Sequence, residues 1–394
     1  MNKCNLGSVA KSQTGPFGSQ LHEEDYVDEG TPIVTVEHLG EVGFTTQNLP
    51  FVSEEDTKRL SKYLLKEGDI VFSRVGSIDR CVYVKKEQEG WLFSGRCLRV
   101  RCDKEKVNAR YLSYYFKLAE FKKMMLNISV GATMPSLNTD LMDSVQLNLL
   151  ERDKQDQIAD LLNYIDEKIE KNNEINVQLE VMARTIYDYW FLQFDFPDEN
   201  GKPYKSSGGK MVWNEELKRE IPDGWKAGIF ADFFEIGNGK DHKNLLDGEI
   251  PVYGSGGIMR YVNEELYNGE SVLIPRKGTL NNIIYITGPF WTVDTMYFTK
   301  IKKDNAAIYV YYAVNQYNFE KMNTGTGVPS MTASVIYNLK TVMPKTEILK
   351  QFDNKVQSFY SMIRQNEKQN KELASLREFL LPLLMNGQVR FKEC

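Results

Sequence analysis

The chain repeats itself, and that repeat limits its fold more than any other feature. Residues 131–137 read GATMPSL and residues 325–331 read GTGVPSM. With Pro135 set against Pro329, the halves run on without a gap: Gln157 meets Gln351, Leu162 meets Val356 and Ile165 meets Phe359. The match continues through Ile169 and Ile363, Asn172 and Asn366, Asn176 and Asn370, and Leu179 and Leu373. Upstream, GDIVFSRVGS at 68–77 corresponds to GESVLIPRKGT at 269–279, which sets Arg74 against Arg276 and Gly76 against Gly278. Between these anchors the halves differ in length and sequence. Near-constant helices around variable globular parts are what two modules of one architecture with different targets would show. A chain of 394 residues also exceeds one ordinary core, so two domains are the natural reading.

The matched regions are helical. From Lys154 to Trp190, apolar residues fall at Ile158, Leu162, Ile165 and Ile169 and again at Leu179, Ala183, Ile186 and Trp190, in steps of three and four within each run, a heptad seam. Phe352 to Leu384 repeats it. Asn172, Asn176, Asn366 and Asn370 occupy core positions, where asparagine lowers stability but fixes register. A pseudo-two-fold axis would pack the helices antiparallel, pairing Asn172 with Asn370 and Asn176 with Asn366. Helices of about 35 residues span roughly 50 Å, long enough to form a rod. Ordinary amphipathic helices packed on their own domains are the alternative. The globular parts read as α+β. Short strands are expected at Asp69–Ser73, Cys81–Lys85, Leu98–Arg101 and Ser271–Ile274, with helices at Ala109–Asn127 and Ala306–Lys321. The expected domains are 1–150 and 223–344, followed by helical regions at 151–194 and 345–394, with 195–222 as linker.

Several classes of chemistry find no support. GNGK at 237–240 lacks the glycine spacing of a phosphate loop, with Phe234 and Asp241 at required positions. Ser255 in VYGSGG lacks nucleophile-elbow spacing. Three histidines and five cysteines without a CxxC pair argue against a zinc site. No signal peptide and no membrane span are read, so a cytoplasmic location is expected. A net charge of −5 is unusual for a DNA binder, although only the DNA-facing surface must be positive.

The binding candidates lie in turns and loops. Arg74-Val75-Gly76-Ser77 and Arg276-Lys277-Gly278-Thr279 each set a guanidinium beside a glycine turn and a hydroxyl, groups that suit phosphate oxygens or a guanine edge. The structural alternative is a β-turn whose Arg pairs with a carboxylate. Thr133, Ser136, Thr326 and Ser330 in the Gly-x-x-x-Pro-Ser turns suit phosphates, or merely shape the turn. The loops that differ most between halves supply Ser19, Gln20 and His38 in the first. In the second they supply Lys240, His242, Lys243, Tyr253, Ser255 and Arg260.

Taken together, TGPFGSQLHEEDYVDEGTPIV, GDIVFSRVGS, GATMPSL, IYDYWFLQFDFPDENGKPYKSSGG, IPDGW, IPVYGSGGI and LREFLLPLLMNGQV resemble the specificity (S) subunits of type I restriction–modification systems, over essentially the whole chain. That resemblance implies two target-recognition domains separated by two helical regions packed as an antiparallel coiled coil, each domain reading half of a split double-stranded DNA target. It implies two methyltransferase (M) subunits and two restriction (R) subunits as partners. S-adenosylmethionine, ATP and Mg would be bound by those partners, with no cofactor and no catalytic centre in this chain. One departure is Pro275, immediately before the second Arg, where the first half has Ser73. The competing reading is a duplicated coiled-coil scaffold without DNA specificity.

Overall fold

The computed structural model describes residues 2–16, 18, 20–129, 136–323 and 327–389. It divides into two compact units, residues 1–173 with 367–394, and residues 174–366. In the first, β1 (Asn2–Asn5) leads through the single turn α1 (Leu6–Val9) into β2 (Ala10–Thr14). Then follow β3 (Tyr26–Val27), β4 (Thr31–Val34), β5 (Phe51–Val52), α2 (Glu54–Arg59), β6 (Asp69–Ser73), β7 (Cys81–Tyr83), β8 (Leu92–Phe93) and β9 (Cys97–Cys102). Helices α3 (Ala109–Tyr115), α4 (Ala119–Ile128) and α5 (Thr139–Ser144) precede β10 (Gln146–Leu149) and the long α6 (Arg152–Tyr187).

The second unit opens on a hairpin, β11 (Met211–Asn214) and β12 (Arg219–Pro222). It continues through β13 (Lys226–Ile229), β14 (Phe234–Asn238), β15 (Asp247–Gly254), β16 (Gly257–Val262), β17 (Tyr267–Asn268), β18 (Ser271–Pro275) and β19 (Ile284–Ile286). After β20 (Pro289–Thr292) and β21 (Met296–Ile301) come α7 (Ala307–Val314), α8 (Ala333–Tyr337), β22 (Lys340–Met343) and α9 (Thr346–Met385).

Each unit holds two four-stranded sheets, one of identical strand order and one that shares three strands and differs in the fourth, β3 in the first unit and β17 in the second. The order β2-β9-β6-β7 in the first is matched by β14-β21-β18-β19 in the second. Beside them lie β3-β5-β4-β8 and β16-β15-β20-β17, where β4 with β8 and β15 with β20 are parallel pairs. The first strand of the first unit pairs with its last, β1 with β10, and in the second unit β13, which follows the hairpin, pairs with the last strand, β22.

The reason lies in the central strand. Alternate residues of a strand face opposite ways, and β6 is buried throughout. Ile70 and Phe72 enter one apolar core while Val71 enters another. In β18, Val272 and Ile274 face one core and Leu273 the other. A continuous apolar run is therefore required, because both faces are covered.

Two expected helices are shorter than their periodicity suggests. The 109–127 stretch breaks where Leu118 turns extended, at ψ 138°, which lets Phe116 and Leu118 both enter the core. Helix α7 stops at Val314, and Asn281 takes the backbone N–H of Phe319. The 195–222 stretch, expected as a linker, is folded. Phe196 stacks on Tyr204 and Trp225, and buried Asp195 accepts from the Ser206 amide and hydroxyl.

Each unit takes part of both long helices. In the first, Ile158 and Leu162 share a core with Leu384 and Met385. Asn172 donates to Asn370 at 2.8 Å, while Asp166 accepts from Arg377 at 2.5 Å and from Tyr114 at 2.7 Å. In the second, Leu179 and Ala183 share a core with Val356 and Ile363, and Asn366 donates to Asn176 at 2.8 Å. A π-helical turn, Asp188–Leu192, ends the first long helix and carries buried Trp190 and Phe191.

The central sheets are pinned differently. Asp69, 1% exposed, is gripped by Arg101 through two bonds of 2.6 and 2.7 Å. At the corresponding place β18 uses hydroxyls, with Ser271 donating to the Thr299 carbonyl at 2.8 Å. Arg101→Ala removes two charged bonds to the buried Asp69 carboxylate, leaving it the Lys66 amide at 2.8 Å and Arg99 at 3.9 Å, and is expected to lower stability by about 2 kcal/mol. Ser271→Ala should cost about 1 kcal/mol. Both are read as shifts in denaturant midpoint at constant m-value.

Candidate nucleic-acid interface

In both units the Arg-x-Gly turn is stitched to the segment that begins at Ser136 or Ser330. Val75 bridges Ser136, and Lys277 bridges Ser330. The amide of Leu137 donates to the Arg74 carbonyl at 2.9 Å, and that of Met331 to the Arg276 carbonyl at 2.8 Å. The amides of Arg74 and Arg276 donate in turn to Arg96 and Thr295, each at 2.8 Å. Gly76 and Gly278 sit at φ 76° and 85°, a left-handed conformation that glycine adopts without strain. Each turn holds its hydroxyl residue, Ser77 or Thr279, exposed to solvent.

Beside each stitched turn opens a cleft, in the same topological place. The first, of about 880 Å³, is walled by Gly18 and Leu21 to Glu23 after β2, the segment after β4 (Thr35 to Glu37) and the β8–β9 turn (Ser94 to Arg96). The second, of about 660 Å³, is walled by the loop after β14 (Asp241 to Lys243), the end of β15 with its turn (Gly254 to Gly256) and the β20–β21 turn (Val293 to Thr295). Arg80, His22 and Tyr26 also line the first. Burial, with Glu23 close by, raises the Tyr26 phenol above its ordinary range.

The structure sorts the expected contact residues. Lys240 and Lys243 are exposed and form no ion pair among the described residues. Half-buried His242, together with Lys243 and Ser255, lines the second cleft. Lys277 reaches Asp294 at 3.6 Å.

Others are engaged within the fold. His38 is 0% exposed, and its Nδ1 accepts from the Thr35 amide, so it is a core residue rather than a surface reader. Gln20 accepts through its side chain from the Tyr63 hydroxyl at 2.7 Å. Arg74 donates to the carbonyls of Leu137 and Gly95, at 3.1 and 3.2 Å, which makes it a clamp on the turns rather than a free guanidinium. Arg260 bonds the Leu245 carbonyl and Asp247, both at 2.9 Å. Arg276 lies over the Tyr297 ring at 5.7 Å. Tyr253 is half-buried, and its carbonyl accepts from the Val293 amide. Ser136 and Ser330 form the bridges already described. Ser19, Thr133 and Thr326 lie outside the described residues.

Sequence reasoning missed exposed Arg80 and Arg96, and Met259 in the second cleft. A signal existed for Arg96. Ser94-Gly95-Arg96 stands where the second half has Val293-Asp294-Thr295, a difference between halves at constant architecture.

The profile of the family described as "Type I restriction modification DNA specificity domain" matches residues 1–181 and 222–375. The chain belongs to this family. As a type I specificity subunit it confers DNA sequence specificity. Its relatives include the MjaIX specificity subunit of Methanocaldococcus jannaschii, 25% identical over 87% of this chain and 82% of the relative. The HindI specificity subunit of Haemophilus influenzae is 20% identical over 85% of this chain and 89% of the relative. The fold is that of the type I S subunit from M. genitalium, with a TM-score of 0.62 at 16% identity, covering 99% of this chain and 96% of that one.

The two roles assigned to arginine in this specificity subunit separate experimentally. Arg74→Ala should destabilise the first unit by about 1–3 kcal/mol, because it leaves carbonyls without donors. Arg80→Ala and Arg96→Ala should leave the denaturant midpoint unchanged. If each meets one phosphate, each should weaken DNA binding by the subunit in complex with its methyltransferase and flatten the slope of log K against log salt by about 1.

Proposed function

We propose that this specificity subunit reads a bipartite double-stranded DNA target, one half with each unit, and presents it to methyltransferase and restriction subunits. The observation that carries this is the duplicated cleft, built on the same stitched turns in both units but walled by different side chains. Equal architecture supports equal docking on a duplex, and unequal walls support two different half-targets. Phosphate contacts position such a protein and base-edge contacts specify its sequence. Lys240, Lys243, Ser77, Thr279, Arg80 and Arg96 are the exposed groups suited to those tasks.

Chemistry then belongs to the partners: adenine methylation with S-adenosylmethionine and ATP-dependent cleavage with Mg, by two M and two R subunits in the cytoplasm. The long helices would pair as an antiparallel coiled coil through the four asparagines, and the length of that coil would set the gap in the target. The within-unit Asn172–Asn370 and Asn366–Asn176 bonds support this register.

The direct test is co-expression with the methyltransferase subunit in a methylation-free host, followed by modification-sensitive sequencing. Methylated adenines confined to one split motif, and absent without this chain, are expected. A soluble, active methyltransferase partner that gains no motif would leave the scaffold reading standing. Deleting one matched heptad from both long helices should shorten the gap of that motif. A folded deletion variant with the original spacing would defeat the ruler.

A further inference from the structure

The walls of the two clefts differ in chemistry. Two exposed arginines, Arg80 and Arg96, line the first, and no exposed aliphatic side chain does so among the described residues. The second has an aliphatic tip. Strands β15 and β16 form an antiparallel ribbon at the edge of their sheet, joined through Ser255 and Gly256, with Gly257 at φ 113°. Just past this turn, Ile258 is 51% exposed and Met259 is 57% exposed, and Met259 lines the cleft. A side chain at Gly254 would meet the Met259 sulfur at 2.7 Å, so glycine there leaves Met259 its place.

Two large apolar side chains exposed at the end of an edge ribbon are unfavourable in water unless something covers them. Charge identifies the occupant. Lys240 and Lys243 flank the cleft, exposed and without an ion pair among the described residues. Of the two acids in the wall, Asp294 is paired with Lys277 at 3.6 Å, and Asp241 accepts from the Lys243 amide at 3.1 Å and keeps its charge, so that Lys240, Lys243 and Lys277 outnumber the acids. A polyanion with apolar spots on its recognition face fits this surface. The major groove of B-DNA admits a two-stranded β-ribbon, and the thymine 5-methyl is the apolar group displayed there.

We propose that the β15–β16 ribbon is the base-reading element of the second unit, and that Ile258 and Met259 recognise thymine methyl groups. This rests on the bipartite reading above and adds to it the identity of a base. One half of the target then contains at least one A·T pair whose thymine methyl is contacted.

The test removes only that methyl. Once sequencing has given the motif, duplexes with deoxyuridine in place of thymidine are compared, in one half and then the other, for binding by the complex of this chain with its methyltransferase. Affinity should fall about fourfold for each contacted methyl lost, the factor that corresponds to about 0.8 kcal/mol per methyl. The loss should be confined to one half. The double variant Ile258→Ala, Met259→Ala should bind the thymidine and deoxyuridine duplexes equally and each single variant should show reduced discrimination, with Met259→Gln serving if the alanine variants do not fold. Three results overturn the proposal: a motif whose halves both tolerate deoxyuridine, variants that keep the wild-type discrimination, and variants that fail to assemble with the methyltransferase. The last would make the tip a protein-docking surface. The absence of any split motif would instead refute the bipartite reading itself, and is seen before deoxyuridine is used.

Discussion

The proposed recognition surface of each unit depends on one set of backbone hydrogen bonds, the stitch that joins the Arg-x-Gly turn to the segment beginning at Ser136 or Ser330. The carbonyl of Arg74 or Arg276 holds the chain arriving from the α-helical part, and the amide of the same residue holds the β8–β9 or β20–β21 turn. Three segments remote in sequence thus meet at one residue. These bonds use main-chain atoms, so they persist whatever side chains the neighbouring loops carry. Glycine at 76 and 278 is the side-chain requirement they impose most directly, through the left-handed backbone. Loops positioned by a rigid scaffold can change sequence while keeping place, and a pair of modules with different specificities needs that property.

Beneath the stitch lies the two-sided strand. β6 and β18 each separate two apolar cores, so neither can carry an outward polar residue in its middle. The ends of these strands are consequently where polar chemistry can begin, and Arg74 and Arg276 are the first residues beyond them. Their side chains have nevertheless diverged. Arg74 donates to two carbonyls, whereas Arg276 rests on an aromatic ring. Pro275 lacks the hydroxyl with which Ser73 reaches the Val75 carbonyl. The architecture at this corner is kept while the means of holding it differ.

What could be read from the sequence follows from the range of the interactions involved. The heptad seam, the central strands and the repeat are periodic, and periodicity is a local property. Asn172 opposite Asn370 required only symmetry in addition. The helix break at Phe116–Leu118 was hidden, because it is set by the core that receives both side chains. The fold of 195–222 was hidden for the same reason: turn-forming composition suggests a linker, while Phe196 and Trp225 stack across residues far apart in sequence. Contact residues were the least legible. His38 and Arg260 are polar residues in variable loops, as a reader should be, yet one is fully buried and the other is held by Asp247. Polarity identifies a loop residue; only tertiary packing decides whether its functional group is free.

That distinction bears on the acidic net charge. With a formal charge of −5, this chain cannot rely on a broad positive field to hold DNA. Some of its best-placed cations are also withdrawn from contact, Arg74 into the stitch and Arg260 into an ion pair. The exposed cations at the clefts are few: Arg80 and Arg96 in one unit, Lys240 and Lys243 in the other. Non-specific affinity rises with the number of phosphates neutralised, so a sparse set keeps the grip on random sequence weak. On the function proposed above, discrimination comes from the contents of the clefts, and the remaining affinity from the subunits assembled on this one. A reader built in this way releases wrong sequences readily, because little of its binding is independent of sequence.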